Sequence, residues 1–113
     1  MALAAVALLA GCGGSPAPPA GSIKVTMTEF QFAPSTITAP SGKVVFFLVN
    51  SGTTSHNLII RDSSNRRLKA SDLLSAGDST VFTVDSIAAG TYTIFCDQQG
   101  HEASGMKGTL TIT

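Results

Sequence analysis

One short loop near the end of the chain carries three side chains that bind soft metal ions. The stretch CDQQGHEASGM contains a thiol at Cys96, an imidazole at His101 and a thioether at Met106. The other histidine of the chain is His56. Thiolate and thioether sulfur favour Cu(I), whereas imidazole nitrogen binds both Cu(I) and Cu(II). Two imidazoles, one thiolate and one thioether therefore predict a copper site, provided that the fold brings His56 to this loop.

Other interpretations of these residues need features that the sequence does not supply. Zinc fills tetrahedral Cys/His sites but rarely recruits methionine. A nucleophilic Cys/His pair would need an orienting Asn or Asp and an oxyanion site, and nothing in the sequence marks them. In a metal-free sandwich protein, Cys96 would be a buried thiol, His101 a surface residue and Met106 core filler. The combination of all four side chains favours copper.

Short strand patterns recur along residues 22–113, separated by turn residues and without a long helical period. The apolar run KVVFFLVN is expected at the centre of the core, RDSSNRR is expected to form a turn, and KASDLLSAGD one helical turn that ends at Gly77. Seven or eight strands in this length indicate an all-β sandwich or barrel with Greek-key connections. The other strand segments are SIKVTMT, STITA, HNLII, STVFTVD, GTYTIFC and KGTLTIT.

The pairing of three strands decides whether the four candidate ligands meet. His56 opens HNLII and Cys96 closes GTYTIFC, so antiparallel pairing of these strands puts both residues at one end of the sandwich. Met106 directly precedes KGTLTIT, which is expected to form a hairpin with GTYTIFC. The connecting loop, with His101, then lies at the same end. The sequence therefore predicts one cluster of His56, Cys96, His101 and Met106.

These segments resemble the cupredoxins, the blue-copper family that includes plastocyanin, azurin and rusticyanin. GTYTIFCDQQGHEASGMKGTLTI resembles the C-terminal half of the family, and FQFAPSTITAPSGKVVFFLVN with SHNLII resembles the N-terminal half. The ligand loop is longer than that of plastocyanin and is similar to the rusticyanin type. The resemblance covers residues 22–113. It implies an eight-stranded Greek-key β-sandwich that holds one type 1 copper ion, which alternates between Cu(I) and Cu(II).

The resemblance also implies roles for residues around the copper. Asn57 would support the site by hydrogen bonding around the Cys96 sulfur, and the carbonyl of Ser55 would be a distant axial contact. His101, on the loop, is expected to reach the surface with one ring edge and to pass electrons there, whereas His56 lies deeper. The expected apolar docking patch around that edge consists of Ala33, Pro34, Ala103 and Gly105.

The charge balance limits the partners that the chain can attract. Seven Lys and Arg residues match seven Asp and Glu residues, for a net charge of +0. This balance gives no electrostatic basis for binding nucleic acid, and encounters with partners should depend weakly on salt. We expect a monomer that meets redox proteins transiently. The basic cluster of Arg61, Arg66, Arg67 and Lys69 is expected to form a solvated hairpin surface, and docking of an acidic partner is the alternative.

The first residues are typical of an exported protein. The apolar stretch MALAAVALLAGC is shorter than the roughly 20 residues that span a bilayer, and residues 1–11 are interpreted as a signal peptide. LAGC resembles the bacterial lipobox, which implies that Cys12 carries a lipid anchor. Residues 12–21, rich in Gly and Pro, are expected to form a tether for the domain at 22–113. These features predict a membrane-anchored lipoprotein on the periplasmic or extracellular face.

Single-electron transfer between redox partners at the cell envelope is the favoured function, and copper storage or delivery is the alternative. Storage or delivery favours exposed Met-rich or His-rich sites, but the chain has three Met, one of them Met1. Copper oxidases and nitrite reductases hold further copper ions with extra histidines. Both histidines are already used by the predicted site, so we expect that the protein is not an enzyme.

Overall fold

The computed structural model describes residues 17–113. The predicted signal peptide, Cys12 and the first half of the tether lie outside the described residues. The tether's last residues, 17–21, are exposed, and they end in a turn in which the backbone N–H of Ser22 donates to the Pro19 carbonyl at 3.1 Å. Within residues 17–113, no helix is long and apolar enough to cross a membrane.

Strands and turns make up the described chain, which confirms the all-β prediction. Nine strands are present within residues 17–113, where eight were expected, because two short strands, β2 and β6, add to the seven that the sequence pattern indicated. They are β1 (Ile23–Thr28), β2 (Gln31–Ala33), β3 (Thr36–Ala39), β4 (Gly42–Asn50), β5 (Ile59–Arg61), β6 (Arg67–Ala70), β7 (Ser79–Ile87), β8 (Gly90–Phe95) and β9 (Lys107–Ile112).

The strands form two sheets that enclose one core. The first sheet has the order β2-β1-β4-β7 and the second the order β3-β9-β8-β5-β6. The chain crosses between the sheets after β2, β3, β4, β6 and β7. As a result, β1 lies parallel to β4 and β3 parallel to β9, while the other neighbouring pairs are antiparallel. Because β1 and β4 are parallel, the C-terminal ends of both strands lie at the same end of the sandwich.

The core lies between the two sheets and is built by alternating apolar residues. Strand β4 is interior to its sheet, as its apolar run predicted, and Phe46 stacks on Phe82 of β7 with ring centroids 5.9 Å apart. Ile94 of β8 and Leu110 of β9 are fully buried on the opposite sheet. Burying one such side chain contributes about 1.5–3 kcal/mol. This rigid interior supports the loops at the ends of the strands.

The predicted helical turn in residues 69–78 is wrong. Strand β6 takes the start of this segment, and Leu74 forms an isolated bridge with His56. The turn beyond it runs from Ser75 to Asp78, with Gly77 at a φ of 85°. Leu74 is buried at 6 % exposure, so tertiary pairing of its backbone outweighs the weak local preference for a helix.

The pairings that bring the site together follow the sequence prediction. Strands β5 and β8 are antiparallel, with Ile59 opposite Phe95, and β8 and β9 are antiparallel, with Phe95 opposite Lys107. His56 lies shortly before β5, Cys96 directly follows β8, and Met106 directly precedes β9. All three therefore lie at one end of the second sheet.

Candidate metal centre

Three metal-binding side chains meet at this end of the sandwich. Nδ1 of His101 lies 3.2 Å from Nδ1 of His56 and 3.5 Å from Sγ of Cys96. The ligand atoms of all three residues lie within 4.8 Å of one another. His56 and Cys96 are fully buried, and His101 is half-buried. The predicted grouping of these three side chains is thus present in the fold.

Met106 adjoins the same cluster through its backbone and is fully buried. Its N–H donates to the His101 carbonyl at 3.0 Å, and its carbonyl accepts from the N–H of Cys96 at 3.2 Å. These two bonds close the loop 97–105 into a compact turn structure. The loop thereby fixes Met106 beside the two loop residues that the sequence paired with it.

The backbone of His56 is held by pairing with Leu74. His56 N–H donates to the Leu74 carbonyl at 3.0 Å, and Leu74 N–H donates to the His56 carbonyl at 2.9 Å. The buried Asn50 side chain donates to the carbonyls of Thr54 and Leu74, at 2.8 and 2.9 Å, and accepts from Gly52 N–H at 2.9 Å. Asn50 therefore ties the loop that precedes His56 to the segment that pairs with it.

The outer nitrogen of the His56 ring contacts a carboxylate. Nε2 of His56 lies 3.3 Å from Oε1 of Glu29, at the end of β1. A carboxylate at neutral pH only accepts hydrogen bonds, so Nε2 carries the proton and Nδ1 keeps its lone pair facing Cys96 and His101. The backbone N–H groups of Thr54 and Thr53 lower the pKa of Glu29 to about 2, which keeps the carboxylate ionised.

Burial favours the neutral form of His56. Desolvation of the ring lowers the pKa of His56 below 6.5, and the hydrogen bond to Glu29 opposes this shift only in part. Neutral imidazole is the form that binds metal ions. The site therefore offers an unprotonated nitrogen at neutral pH.

Asn57 braces the segment that follows Cys96. Its Nδ2 donates to Oδ1 of Asp97 at 2.7 Å, and Asp97 N–H donates to Oδ1 of Asn57 at 3.1 Å. The bond from Asn57, aided by Arg67, lowers the pKa of Asp97 below 3.8. These bonds join the strand ends that carry His56 and Cys96. The hydrogen bonding to the Cys96 sulfur that was expected of Asn57 stays a prediction, as does the axial contact by Ser55.

Sequence comparison identifies the family of the chain. A cupredoxin-like domain family matches residues 1–112. Plastocyanin of Scenedesmus fuscus is 34 % identical over 88 residues, which cover 72 % of this chain and 85 % of that protein.

The chain belongs to the cupredoxin-like family.

A further sequence match and a solved structure support the assignment of this cupredoxin. Auracyanin-B of Chloroflexus aurantiacus is 49 % identical over 41 residues. These residues cover 36 % of this chain and 17 % of that protein. A crystal structure of auracyanin B is similar with a TM-score of 0.75 and 25 % identity, covering 87 % of this chain and 92 % of that one. The two-sheet architecture is thus that of known cupredoxins.

The donor set of this cupredoxin fits one copper ion. Zinc sites give the scale: the metal bonds imidazole nitrogen at about 2.0 Å and thiolate sulfur at about 2.3 Å. Two atoms that bind the same ion can be no farther apart than the sum of their bond lengths. That sum is about 4.0 Å for two nitrogens and about 4.3 Å for a nitrogen and a sulfur. The observed separations, 3.2 Å and 3.5 Å, fall within these limits. Two imidazoles and a thiolate beside a buried thioether are the ligand set that suits copper in both oxidation states.

The surface of the cupredoxin beside His101 is apolar. Phe30, which is 40 % exposed, packs edge-on against the His101 ring with centroids 5.2 Å apart. The docking-patch residues are all exposed, and a Cβ at Gly105 would lie 3.8 Å from the Phe30 carbonyl oxygen. Ala33 and Pro34 lie at the far end of β2 from Phe30. The docking role of the four predicted residues stays a prediction, and Phe30 is the large apolar residue that the prediction missed.

The basic residues of the β5–β6 hairpin hold the ligand loop from the other side. Arg61 makes a two-point ion pair with Glu102, at 2.6 and 3.1 Å, and lies 4.4 Å from the centroid of the Phe95 ring. Arg67 pairs with Asp97 at 3.1 Å. The cluster that was expected to be a solvated surface therefore also contacts the loop on both sides of His101.

Sequence reasoning missed Glu29, Asn50 and Arg61 as parts of the site. Glu29 is an acidic residue at the end of an apolar-alternating strand, which is a weak signal by itself. Its significance depends on the parallel pairing of β1 with β4, because that pairing puts Glu29 beside the loop 51–55. No pattern in the sequence near His56 marks Glu29.

Proposed function

We propose that this cupredoxin carries single electrons and that His56, Cys96, His101 and Met106 are the copper ligands. The observation that carries the proposal is the convergence of two imidazoles and a thiol within 4.8 Å, next to a buried methionine. The bound ion supplies the reversible change between Cu(I) and Cu(II). Cys96 and Met106 provide donors that suit Cu(I), and the imidazoles provide donors that suit both states.

The protein's contribution is to keep the ligands in place and to exclude water. His56 and Cys96 have no exposed surface, and their backbones are fixed by pairing with Leu74 and by the loop bonds of Met106. Ligands that cannot rearrange lower the reorganisation that accompanies a change of charge. A preorganised site of this kind suits rapid outer-sphere transfer of an electron.

Electrons would enter and leave through the half-buried edge of His101. Phe30 and the predicted patch of Ala33, Pro34, Ala103 and Gly105 give this region an apolar character, and the net charge of +0 provides no long-range attraction. We therefore propose short-lived contacts with redox proteins, made by a monomer, with rates that change little with salt.

The proposed location is the outer face of a cell membrane. The apolar N-terminal segment and the lipobox-like LAGC support export and lipid attachment at Cys12. Mass spectrometry of the mature N-terminus from the native host tests this: a diacylglyceryl adduct on Cys12 is expected. An unprocessed N-terminus that begins at Met1 would contradict it.

Replacement of Cys96 tests the copper site. Cu(II) added to the purified full chain should give an intense thiolate-to-copper absorption band in the visible range, and Cys96→Ser should abolish this band because oxygen does not provide the same charge transfer. The matched control is Cys12→Ser, since the chain has two cysteines and Cys12 lies outside the domain. Loss of the band in both variants, or in neither, would contradict the assignment.

Copper storage or delivery is the second candidate function, and it predicts different behaviour of Cu(I). An electron carrier should retain its copper through repeated reduction and oxidation in the presence of a mild Cu(I) chelator. The buried ligands favour retention. Rapid loss of Cu(I) to the chelator would instead favour delivery.

We also propose that the protein is not an enzyme. The chain has two histidines, and both belong to the cluster. A second copper centre built from imidazoles would therefore need ligands from another chain. Copper analysis of the loaded protein should give one ion per chain.

A further inference from the structure

We propose that Glu29 is a positioning residue for the copper site, which orients the His56 ring and biases the bound ion toward Cu(II). The inference rests on the proposed copper site. Its geometric basis is the contact of 3.3 Å between Nε2 of His56 and Oε1 of Glu29. The His56 side chain has no exposed surface and that of Glu29 is 29 % exposed. Among residues 17–113, the carboxylate is therefore the hydrogen-bond partner of the outer nitrogen.

Three hydrogen-bond donors hold the carboxylate oxygen of Glu29 in place. Oε1 of Glu29 accepts from Thr53 N–H at 2.7 Å, from Thr54 N–H at 2.9 Å and from the Thr54 hydroxyl at 3.1 Å. All of these donors belong to the loop that leads into His56. The loop thus fixes the oxygen that contacts the ring, and the ring cannot rotate without losing the Nε2 bond.

Gly52 permits this close approach. A Cβ at Gly52 would lie 2.5 Å from Oε1 and 2.9 Å from Oε2 of Glu29, and 2.9 Å from Nε2 of His56. Real Cβ atoms do not make contacts this short, so any larger residue at 52 would push the carboxylate or the ring away. The space for the Glu29–His56 contact therefore depends on a glycine in a loop that otherwise carries side chains.

The negative charge of Glu29 is not neutralised by a lysine or arginine. Among residues 17–113, its ion-pair partner is His56 alone. A carboxylate that accepts from a ligating imidazole makes the ring more electron-rich and adds negative charge near the ion. Both effects stabilise Cu(II) more than Cu(I), because Cu(II) carries the larger charge. Glu29 should therefore lower the reduction potential of the site.

The variant Glu29→Gln separates charge from geometry. Every contact of Glu29 to the loop and the ring uses Oε1, and an amide oxygen can accept the same four hydrogen bonds. We expect the variant to fold and bind copper, with at least a tenfold loss of preference for Cu(II) over Cu(I), which raises the potential by about 59 mV for one electron. A role limited to holding the loop would leave the potential unchanged and overturn the inference.

Two further variants test the geometry and the specificity of the effect. Gly52→Ala should displace the carboxylate, raise the potential in the same direction and change the electron paramagnetic resonance spectrum of Cu(II). Asp62→Asn is the matched control, because it also removes one negative charge but lies in the β5–β6 turn, bonded to the N–H groups of Ser64 and Arg66. A shift in Asp62→Asn as large as that in Glu29→Gln would mean a general charge effect and overturn the inference.

A measurement on the copper-free protein makes the test independent of the metal. Nitrogen-15 spectra of the imidazole should show His56 protonated at Nε2, with slow exchange of that proton, and Glu29→Ala should speed up its exchange at least tenfold. Unchanged exchange in a folded Glu29→Ala variant would contradict the orienting role. Failure of the proposed function is distinguishable, because then the wild type itself would lack the charge-transfer band of Cys96.

Discussion

At the residue scale, each side chain of the candidate site is held in place by its own contacts. His56 is oriented by Glu29 at one ring nitrogen and by Leu74 along its backbone. Cys96 and Met106 are joined by a backbone hydrogen bond of 3.2 Å. Met106 is fully buried, so its thioether is shielded from water.

Met106→Leu tests the proposed weak axial donor. Leucine has a similar volume and no lone pair, so the exchange should cost less than about 1.5 kcal/mol of unfolding free energy. Leucine supplies no donor at all in place of the sulfur, and Cu(I), with its smaller charge, tolerates a lower coordination number better than Cu(II) does. We therefore expect the potential to rise while copper stays bound. Cyclic voltammetry measures the reduction potential. An unchanged potential with intact copper would mean that Met106 is core filler only.

At the element scale, two kinds of contact connect the sheets to the two loops that carry the candidate ligands. The parallel pairing of β1 with β4 delivers Glu29 to the loop before His56. The β5–β6 hairpin delivers Arg61, which pairs with Glu102 and stacks on Phe95. The ion pair lowers the pKa of Glu102 below 4.5. Each element thus fixes a different loop, and neither loop has regular secondary structure of its own.

Arg61→Ala should destabilise the domain through the loss of this contact. A partly buried ion pair and a cation–π contact together are worth about 1–2 kcal/mol. Urea unfolding of Arg61→Ala, Glu102→Ala and the double variant measures the coupling, which should shrink at high salt. Arg66→Ala is the control, because Arg66 is 79 % exposed and its pair with Asp62 should contribute less than about 0.5 kcal/mol. Equal effects of Arg61→Ala and Arg66→Ala would show that Arg61 does not hold the loop.

At the scale of the whole molecule, the fold stabilises the ionised form of several carboxyl groups, and this makes the folded state sensitive to acid. Hydrogen bonds from the backbone of Arg66 and Ser64 lower the pKa of Asp62 below 3.8. The pKa values of Asp97, Glu102 and Glu29 are also lowered. Each of these groups binds protons more weakly in the folded chain than in the unfolded chain.

The copper-free domain should therefore lose stability in acid. A carboxyl group with a depressed folded-state pKa contributes stability that is complete above its unfolded pKa and is lost as the pH falls through the folded-state value. The free energy of unfolding should decline from about pH 5 downward and continue to decline toward about pH 2, where Glu29 titrates. Burial lowers the pKa of His56 in the folded chain below 6.5, so protonation of the unfolded chain below about pH 6.5 also reduces the free energy of unfolding. Urea unfolding at several pH values measures the decline, and constant stability from pH 7 to 3 would contradict it.

Much of the fold and of the ligand set could be predicted from the sequence, because both depend on local patterns. Alternating apolar residues and turn residues marked seven of the nine strands. The hairpin of β8 and β9 is formed by neighbouring strands, so its loop necessarily brings Cys96, His101 and Met106 together. His56 required one further assumption, the antiparallel pairing of β5 with β8, which the fold has.

The tertiary structure alone decided what surrounds those ligands. The contact of Glu29 with His56 depends on the parallel pairing of β1 with β4, and parallel neighbours that are distant in sequence leave no short-range pattern to read. Leu74 pairs with His56 where the local sequence favoured a helical turn. The sequence by itself determined which atoms can bind the ion, since that is a property of residue types. The fold determined how their rings are held, since that depends on long-range backbone pairing.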